Sequence, residues 1–441
     1  MISVEELYGL FKKCTGVTTD SRAVKEGSMF FALKGDKFDG NDFAMKALQD
    51  GARFAVVDRV SLEGQSYRGR KCILVENVLS VMQRLASYHR SQFDIPVVGI
   101  TGTNGKTTTK ELIAAVLSKK YNTVATQGNY NNHIGVPLTL FRINEKTEMA
   151  VVEMGASSPG EIEALTAVAM PTCGLVTNVG KAHLLGFGSF EGVKKTKGEM
   201  YDYLRQKGGV AFYNADNPHL AEMVQYRSGM GVRKYGVKYQ NVEIDVPTLD
   251  NPFLRMTVPN KEGAMIISTK LIGGYNADNV LAALCVGNYF DVPMTEAARA
   301  IEAYTPSNNR SQFLRTHNNM LIIDAYNANP TSMEAALENF ASVEFTAKTL
   351  ILGDMLELGE DSLAEHRAVL NKAVKVCNSI YLVGKEFTAA AKSVPAGSDE
   401  VRCFPDSEAL REYLKNNPLA GRTILIKGSN GTRLQGMNEV L

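Results

Sequence analysis

The chain has almost no net charge: 48 lysines and arginines stand against 47 aspartates and glutamates, a formal charge of +1. A balance of that kind excludes a chain coated in one sign of charge, so neither a nucleic-acid partner nor a polybasic membrane contact is expected. No apolar run approaches the ~18 residues that a membrane span requires. The first residues, MISVEELYGLFKK, lack a basic leader followed by an apolar core, so no secretory signal is expected there. The six cysteines (Cys14, Cys72, Cys173, Cys285, Cys377, Cys403) are scattered, with no C-x-x-C pair. That spacing fits reduced thiols in the cytoplasm rather than a disulfide frame or a zinc site. Fixed-period repeats and low-complexity tracts are also missing. What remains is ordinary globular material, 44% hydrophobic and 22% charged over 441 residues. At about 150 residues per domain, that length predicts about three domains.

Changes of pattern place the boundaries. The first ~90 residues read as short apolar strands at 29–33, 54–57 and 72–75 with two helical stretches, the second ending near His89. Pro96 can start a strand but would break a helix, so a boundary falls near residue 92. From there, strands at 97–101, 149–155 and 173–179 alternate with helices at 106–119 and 160–170, the signature of a parallel sheet with helical crossovers. Shorter segments at 210–214, 242–246, 254–258 and 265–269 read as an added, mostly antiparallel patch, before a helix at 276–289. The polar stretch TPSNNRSQ at 305–312 reads as a linker. Beyond it, strands at 321–324, 349–353, 380–383 and 423–427 alternate with helices at 331–340, 363–377 and 407–416, which predicts a compact doubly wound sheet. Thr331 and Glu334 have capping-box spacing for the first of those helices. The predicted division is 1–91, 92–310 and 311–441.

The sharpest local signal is the run Gly102, Thr103, Asn104, Gly105, Lys106, Thr107, Thr108, lying between a predicted strand and a predicted helix. Glycines there let backbone N–H groups converge on phosphate oxygens, and the helix start adds its positive dipole end. Lys106 supplies a cation for the outer phosphates and Thr107 a hydroxyl for Mg²⁺. Ile100 stands where the strict G-x-x-x-x-G-K-[ST] pattern has its first glycine, so the fit is to the shorter G-T-N-G-K-T form. A GTPase reading wants N-K-x-D, and the nearest string, Asn260-Lys261-Glu262-Gly263, lacks the aspartate. A dehydrogenase reading wants G-x-G-x-x-G, which is absent at this loop.

Downstream, Glu153 closes an apolar strand, where a carboxylate faces the crevice beyond the sheet and is the expected Mg²⁺ partner. His183 follows the next strand as a candidate metal ligand, though a capping or surface role fits its position equally well. Lys197, in KKTKGE, reads by spacing alone as part of a solvated helix face. The polar, glycine-bounded segment at 127–137, QGNYNNHIGVP, has the profile of a functional loop close to the phosphates.

Four strings, GTNGKTT (102–108), GNYNNHIGVPLTL (128–140), VVEMGAS (151–157) and TNVGKAH (177–183), resemble the Mur ligase family, which forms peptide bonds on the cytoplasmic precursor of bacterial peptidoglycan. TDSR at 19–22 with FFALKG at 30–35 resembles the UDP-binding first domain of that family. DAYNANPTSM (324–333) and LGDMLELG (352–359) resemble the members that add D-alanyl-D-alanine. The D-N-P-R string of diamino-acid-adding members is missing: the D-N-P strings at 216–218 and 250–252 are followed by His219 and Phe253.

The resemblance implies an α/β fold of three domains: a small α/β domain for a UDP substrate, a P-loop-type central ATPase domain with a mostly parallel sheet plus a small antiparallel patch, and a Rossmann-like C-terminal domain. It implies an ATP-dependent ligase working through an acyl phosphate, with ATP and Mg²⁺ as cofactors. Its substrates would be UDP-N-acetylmuramoyl-tripeptide and D-alanyl-D-alanine, and a cytoplasmic monomer is the expected state. By the same resemblance Lys106, His183 and Lys197 are catalytic, and residues 102–108 hold the ATP phosphates. Thr107, Glu153, His183 and a carbamylated Lys197 hold metal. Asn276 and Asn279 contact adenine and Arg310 the nucleotide, Ser21 and Arg22 lie by the uridine nucleotide, and Asp324, Asn327, Asn329 and Lys427 face the cleft. Leu185, Tyr275 and Asn41 depart from the family's usual residues. The competing readings are a sister ligase adding a diamino acid, a folate-polyglutamate-type enzyme, a motor-type P-loop ATPase, and a silent binding module.

Overall fold

The computed structural model describes residues 2–59, 61–62, 65–66, 71–248, 250–260, 263–306, 310–345, 347–392 and 401–441. Positions 307–309 of the predicted linker lie outside the described residues.

Near the N-terminus, Val17–Thr18, Met29–Phe31, Phe54–Val57 and Cys72–Leu74 form a four-stranded parallel sheet. Three α-helices accompany it, Val4–Phe11, Ala44–Gln49 and Val78–Ser91, one more than the apolar periodicity indicates. The six residues of Ala44–Gln49 are too few to display a helical period. This unit is packed onto the next through rings. Phe11 and Phe31 lie 5.1 and 6.2 Å from Phe141, and His89 Nε2 meets the Ile143 carbonyl at 2.9 Å. Burial lowers the pKa of His89, so the ring is neutral inside this joint. Burying each phenylalanine contributes about 1.5–3 kcal/mol.

The central sheet has six parallel strands in the order Thr123–Ala125, Met149–Glu153, Val97–Thr101, Cys173–Val176, Val210–Asn214, Gly231–Tyr235. Every residue of Val97–Thr101 is buried, as expected of a strand covered on both faces. Alternate side chains serve opposite cores. Val97 joins Leu165, Met200 and Leu204 on one face; Val98 and Ile100 join Leu112, Ile113 and Val280 on the other. The segment 210–214 therefore belongs to the parallel sheet and not, as expected, to the antiparallel patch. Its crossover is the 18-residue helix Phe190–Lys207, and four of its five residues are buried, which suits an interior parallel strand. The antiparallel patch is narrower: Glu243–Ile244, Phe253–Asn260 and Gly263–Ile272.

The C-terminal sheet runs Gln312–Arg315, Met320–Asp324, Thr423–Lys427, Lys348–Gly353, Ser379–Val383, Val401–Phe404, parallel except at its first pair. Its first crossover helix is Pro330–Ser342. The expected cap by Thr331 and Glu334 is corrected by the structure: Asn329 is the N-cap, its Oδ1 accepting from Ser332 N–H at 3.0 Å while the Asn329 N–H donates to Ser332 Oγ at 3.1 Å. Pro330 fixes φ at the first helical position, which pulls the start ahead of Thr331. The whole is an α/β fold of mostly parallel sheets with a small three-stranded antiparallel sheet and two short antiparallel ribbons, Lys34–Gly35 with Phe38–Asp39 and Ser61–Leu62 with Gln65–Ser66. Among the described residues no helix is long and apolar enough to cross a membrane. Val97–Thr101 lies between strands reached in opposite directions, so a crevice opens beyond its carboxyl end. Asp324 and Lys427, at the carboxyl ends of two C-terminal strands, line the same cavity.

Candidate active site

The loop after Val97–Thr101 is held by the neighbouring strand's extension. Thr103 N–H donates to the Asn178 carbonyl (3.0 Å), Asn104 N–H to Asn178 Oδ1 (2.9 Å), and Thr177 Oγ1 to the Asn104 carbonyl (2.6 Å). Two glycines are required here. A Cβ on Gly102 (φ 141°) would lie 2.0 Å from Thr177 Oγ1, and one on Gly105 (φ 77°) 2.7 Å from Asn279 Oδ1. The helix Lys106–Leu117 then starts with N–H groups that no helical carbonyl satisfies, a natural seat for phosphate. Lys106 Nζ donates to the carbonyls of Gly102 and Thr103, each at 2.9 Å. Burial lowers the Lys106 pKa to about 8, with the Glu153 charge opposing that fall and Arg310 adding to it.

Glu153 ends its strand inside the protein, 1% exposed. Thr107 Oγ1 donates to it at 2.9 Å and Asn131 Nδ2 at 2.8 Å. His183 stands nearby in left-handed backbone (φ 50°), its Nδ1 against the carboxylate of Glu357, itself left-handed (φ 68°). Such non-glycine conformations cost about 1–3 kcal/mol each and collect at functional sites. Burial lowers the His183 pKa, Glu357 works against that, and the charges of Lys106 and Lys197 add to it.

Lys197 is not solvated, as spacing alone suggested: it is 2% exposed, its Nζ donating to the Ala156 carbonyl at 3.3 Å and lying 5.2 Å from the Phe187 ring centroid. Burial, then the charge of Lys106, lowers its pKa to about 7. Helical period puts it on the inner face of Phe190–Lys207, beside the buried Val193 and Met200.

Lys106, Glu153 and His183 open on a cavity of about 740 Å³, within the range of small-molecule sites, while Thr107 and Lys197 lie behind its lining. Lys106, Glu153, His183, Asn276, Asn279 and Arg310 line it from the central unit and the linker; Asp324, Asn327 and Lys427 line it from the C-terminal unit. Lys427, 2% exposed, pairs with Asp324 at 2.5 Å. The Arg310 guanidinium lies 3.6 Å from the Tyr326 ring centroid. Asn279 accepts from Thr109 Oγ1 (2.9 Å) and donates to Asn276 Oδ1 (2.8 Å), so the two asparagines form one rigid pair. Asp278 lines the same end, with its pKa raised to about 6 by burial and by Asp216. Asn329 reaches the phosphate loop through Asn104. Ser21 and Arg22 are not brought to this cavity: Arg22 is exposed and its guanidinium pairs with Asp20 at 2.9 Å.

The three unusual residues have distinct settings. Asn41 is buried and bridges Asp39 and Asp58, donating at 2.6 and 2.9 Å. Tyr275 lines the cavity and pairs with Ser311 Oγ at 3.0 Å. Leu185 is 75% exposed beside the C-terminal unit, its N–H 3.5 Å from the Glu357 carbonyl.

Sequence reasoning singled out neither Asn131 individually nor Asn178, Tyr326, Asp278 and Glu357. Asn131 lies inside the flagged segment 127–137, and Glu357 inside the flagged string 352–359; the contacts that define them join distant parts of the chain.

Mg²⁺ prefers oxygen ligands and usually keeps several waters beside one or two carboxylates. The paired hydroxyl of Thr107 and carboxylate of Glu153 fit that preference. Among the described residues no group of three or more His, Cys, Asp or Glu side chains gathers to hold a metal. As an ammonium Lys197 offers no lone pair; it fits a metal only once deprotonated, and it brings negative charge there only as its carbamate.

Comparison with known proteins agrees with this geometry. The chain matches family models for the Mur ligase family catalytic domain over residues 13–90, the Mur ligase middle domain over 100–287 and the Mur ligase glutamate ligase domain over 309–430. It is 34% identical over 427 residues to the UDP-N-acetylmuramoyl-tripeptide–D-alanyl-D-alanine ligase of Bacillus subtilis (strain 168), covering 95% of this chain and 91% of that one. Crystal structure I of MurF from Acinetobacter baumannii superimposes with a TM-score of 0.86 at 26% identity, covering 99% and 98% of the two chains. MurF ligase from Thermotoga maritima, in complex with ADP, gives 0.83 at 26%, covering 98% and 97%. With relatives matched along nearly its whole length and a phosphate loop facing a C-terminal unit across one cavity, the chain belongs to the Mur ligase family.

Proposed function

We infer that this chain is an ATP-dependent ligase that adds D-alanyl-D-alanine to UDP-N-acetylmuramoyl-tripeptide in peptidoglycan precursor synthesis. The observation that carries the reading is the single cavity in which the phosphate loop (Lys106), the carboxylate Glu153 and the C-terminal pair Asp324–Lys427 meet. A carboxylate resists attack because its charge and resonance repel nucleophiles. Its oxygen attacks the γ-phosphorus of ATP, ADP leaves, and an acyl phosphate results. The dipeptide amine then attacks the acyl carbon, loses a proton, and phosphate departs as the amide forms. Lys106 and the helix start offset charge on the moving phosphoryl. Mg²⁺, held by Thr107, Glu153, His183 and carbamylated Lys197, would supply further charge neutralisation.

The division of labour follows the predicted boundaries. Residues 1–91, with Ser21 and Arg22, take the uridine end. Residues 92–310 take ATP, with Asn276, Asn279 and Arg310 at the nucleoside. Residues 311–441 receive the dipeptide, with Asp324, Asn327, Asn329 and Lys427 at the cleft. Water would destroy the acyl phosphate, so closure across the 305–312 linker precedes chemistry. The enzyme works as a cytoplasmic monomer.

The test is phosphate release from ATP with UDP-N-acetylmuramoyl-tripeptide, adding D-alanyl-D-alanine last. Release on that addition is expected. Release driven instead by a free diamino acid, or by ATP alone, would replace this reading with a sister ligase or a motor-type ATPase.

A further inference from the structure

His183 and Glu357 touch although one follows a central strand and the other lies in the C-terminal unit. Both hold left-handed backbone that side chains rarely adopt, so the contact is supported on each side by local structure. On the C-terminal side that support is explicit. Asp354 accepts from the N–H groups of Glu386 and Phe387 at the start of helix Lys385–Ala391. Met355 N–H donates to Nε2 of the fully buried His366 (2.9 Å), and Leu356 N–H to Ser429 Oγ (3.0 Å). The turn that carries Glu357 is thus fixed before it meets His183. An ion pair, Lys181 to Glu365 at 2.7 Å, ties the same two segments together.

A neutral imidazole carries its proton on one nitrogen and a lone pair on the other, and the partner of the first decides which nitrogen is left for a metal. His183 Nδ1 is buried without an aligned hydrogen bond, and the Glu357 carboxylate lies against it. We propose that Glu357 is a positioning residue for His183: on a small rotation of the ring it accepts a hydrogen bond from Nδ1–H and leaves the Nε2 lone pair for a metal, so that docking of the C-terminal unit completes the metal-binding face. The inference rests on the ligase reading, because it assigns His183 a metal. It adds a cause: an undocked C-terminal unit leaves His183 without its partner, and metal capture and closure become one event.

The experiment uses the full chain with ¹⁵N-labelled histidine, the His183 resonances being assigned by their loss in His183→Gln. In the protein without metal the shifts should place the proton on Nδ1, and Glu357→Ala should move them toward the Nε2–H form. Mn²⁺ binding with a non-hydrolysable ATP analogue should weaken about 10- to 100-fold in Glu357→Ala. Glu357→Gln retains an accepting oxygen and should recover most of both signals, which a merely structural loss would not do. Unchanged ring shifts with unchanged Mn²⁺ affinity in Glu357→Ala would remove the role of Glu357 and leave the ligase reading standing. A wild-type chain that forms no amide product would overturn the ligase reading itself, and the metal role of His183 with it.

Discussion

Asn104 of the phosphate loop and Asn329 of the C-terminal unit exchange side-chain amides, Asn329 donating to Asn104 at 2.7 Å and Asn104 donating back at 3.3 Å. Asn329 also caps the helix Pro330–Ser342, so one residue both starts that helix and touches the loop that faces phosphate. Asn329→Asp keeps the capping oxygen but loses the donor and places a negative charge by the phosphates. The KM for ATP should rise about tenfold, equivalent to ~1.4 kcal/mol, while the Tm stays within a few degrees of wild type. An unchanged KM would show that the amide exchange is irrelevant to ATP.

Lys106 is the cation nearest the loop carbonyls it spans. Lys106→Ala should lower the kcat of ATP-dependent phosphate release about 100- to 1000-fold, the scale of losing a transition-state donor. Binding of the UDP substrate should be nearly unaffected. Retained turnover would sink the phosphate-loop assignment.

Glu153 carries the negative charge that Thr107 and Asn131 hold in place. Glu153→Ala should raise the Mg²⁺ concentration for half-maximal activity at least tenfold, a loss of ~1.4 kcal/mol. A superimposable Mg²⁺ titration would remove Glu153 from the metal site.

Asp278 bears on stability. Its pKa is raised to about 6 from 3.8 by burial first and Asp216 second, with a hydrogen bond to Asn214 opposing. Between those values the folded chain holds a proton that the unfolded chain releases. Stability therefore falls as pH rises through the window of about 4 to 6, and the cost is fully present above it. Asp278→Asn should raise the Tm at pH 7.5 by about 2–4 °C and by less at pH 4. Equal shifts at both pH values would exclude the ionised carboxylate as the cause.

Lys197 has its pKa lowered to about 7 by burial, so at pH 8 most of it is the free amine that can attack CO₂. With ¹³C-bicarbonate, a carbamate carbon resonance is expected at pH 8, fading below about pH 7 and missing in Lys197→Arg. No resonance at pH 8 would leave Lys197 outside the metal set.

Much of this architecture was legible in local spacing. Short continuous apolar runs mark the strands 97–101 and 423–427, which are buried on both faces, and a period of 3.6 marks the helix from Lys106, which is buried on one. The glycine loop was legible for the same kind of reason: Gly102 and Gly105 answer to backbone and close-contact requirements a few residues wide. At 210–214 a short apolar run looks alike in a parallel or an antiparallel sheet, and the 18-residue crossover before it decides for the parallel one.

The nearly neutral charge determined by sequence said nothing about where charges gather. Only the tertiary structure put Lys106, Lys197 and His183 within electrostatic reach of one another, with Glu153 and Glu357 facing them. It alone turned Lys197 inward and set Glu357 against His183. Sequence determines what each residue can do chemically and which local element it favours. Desolvation, and contact between residues far apart in the chain, come from packing, so the shifted lysines and the pairing of His183 with Glu357 were decided by the fold.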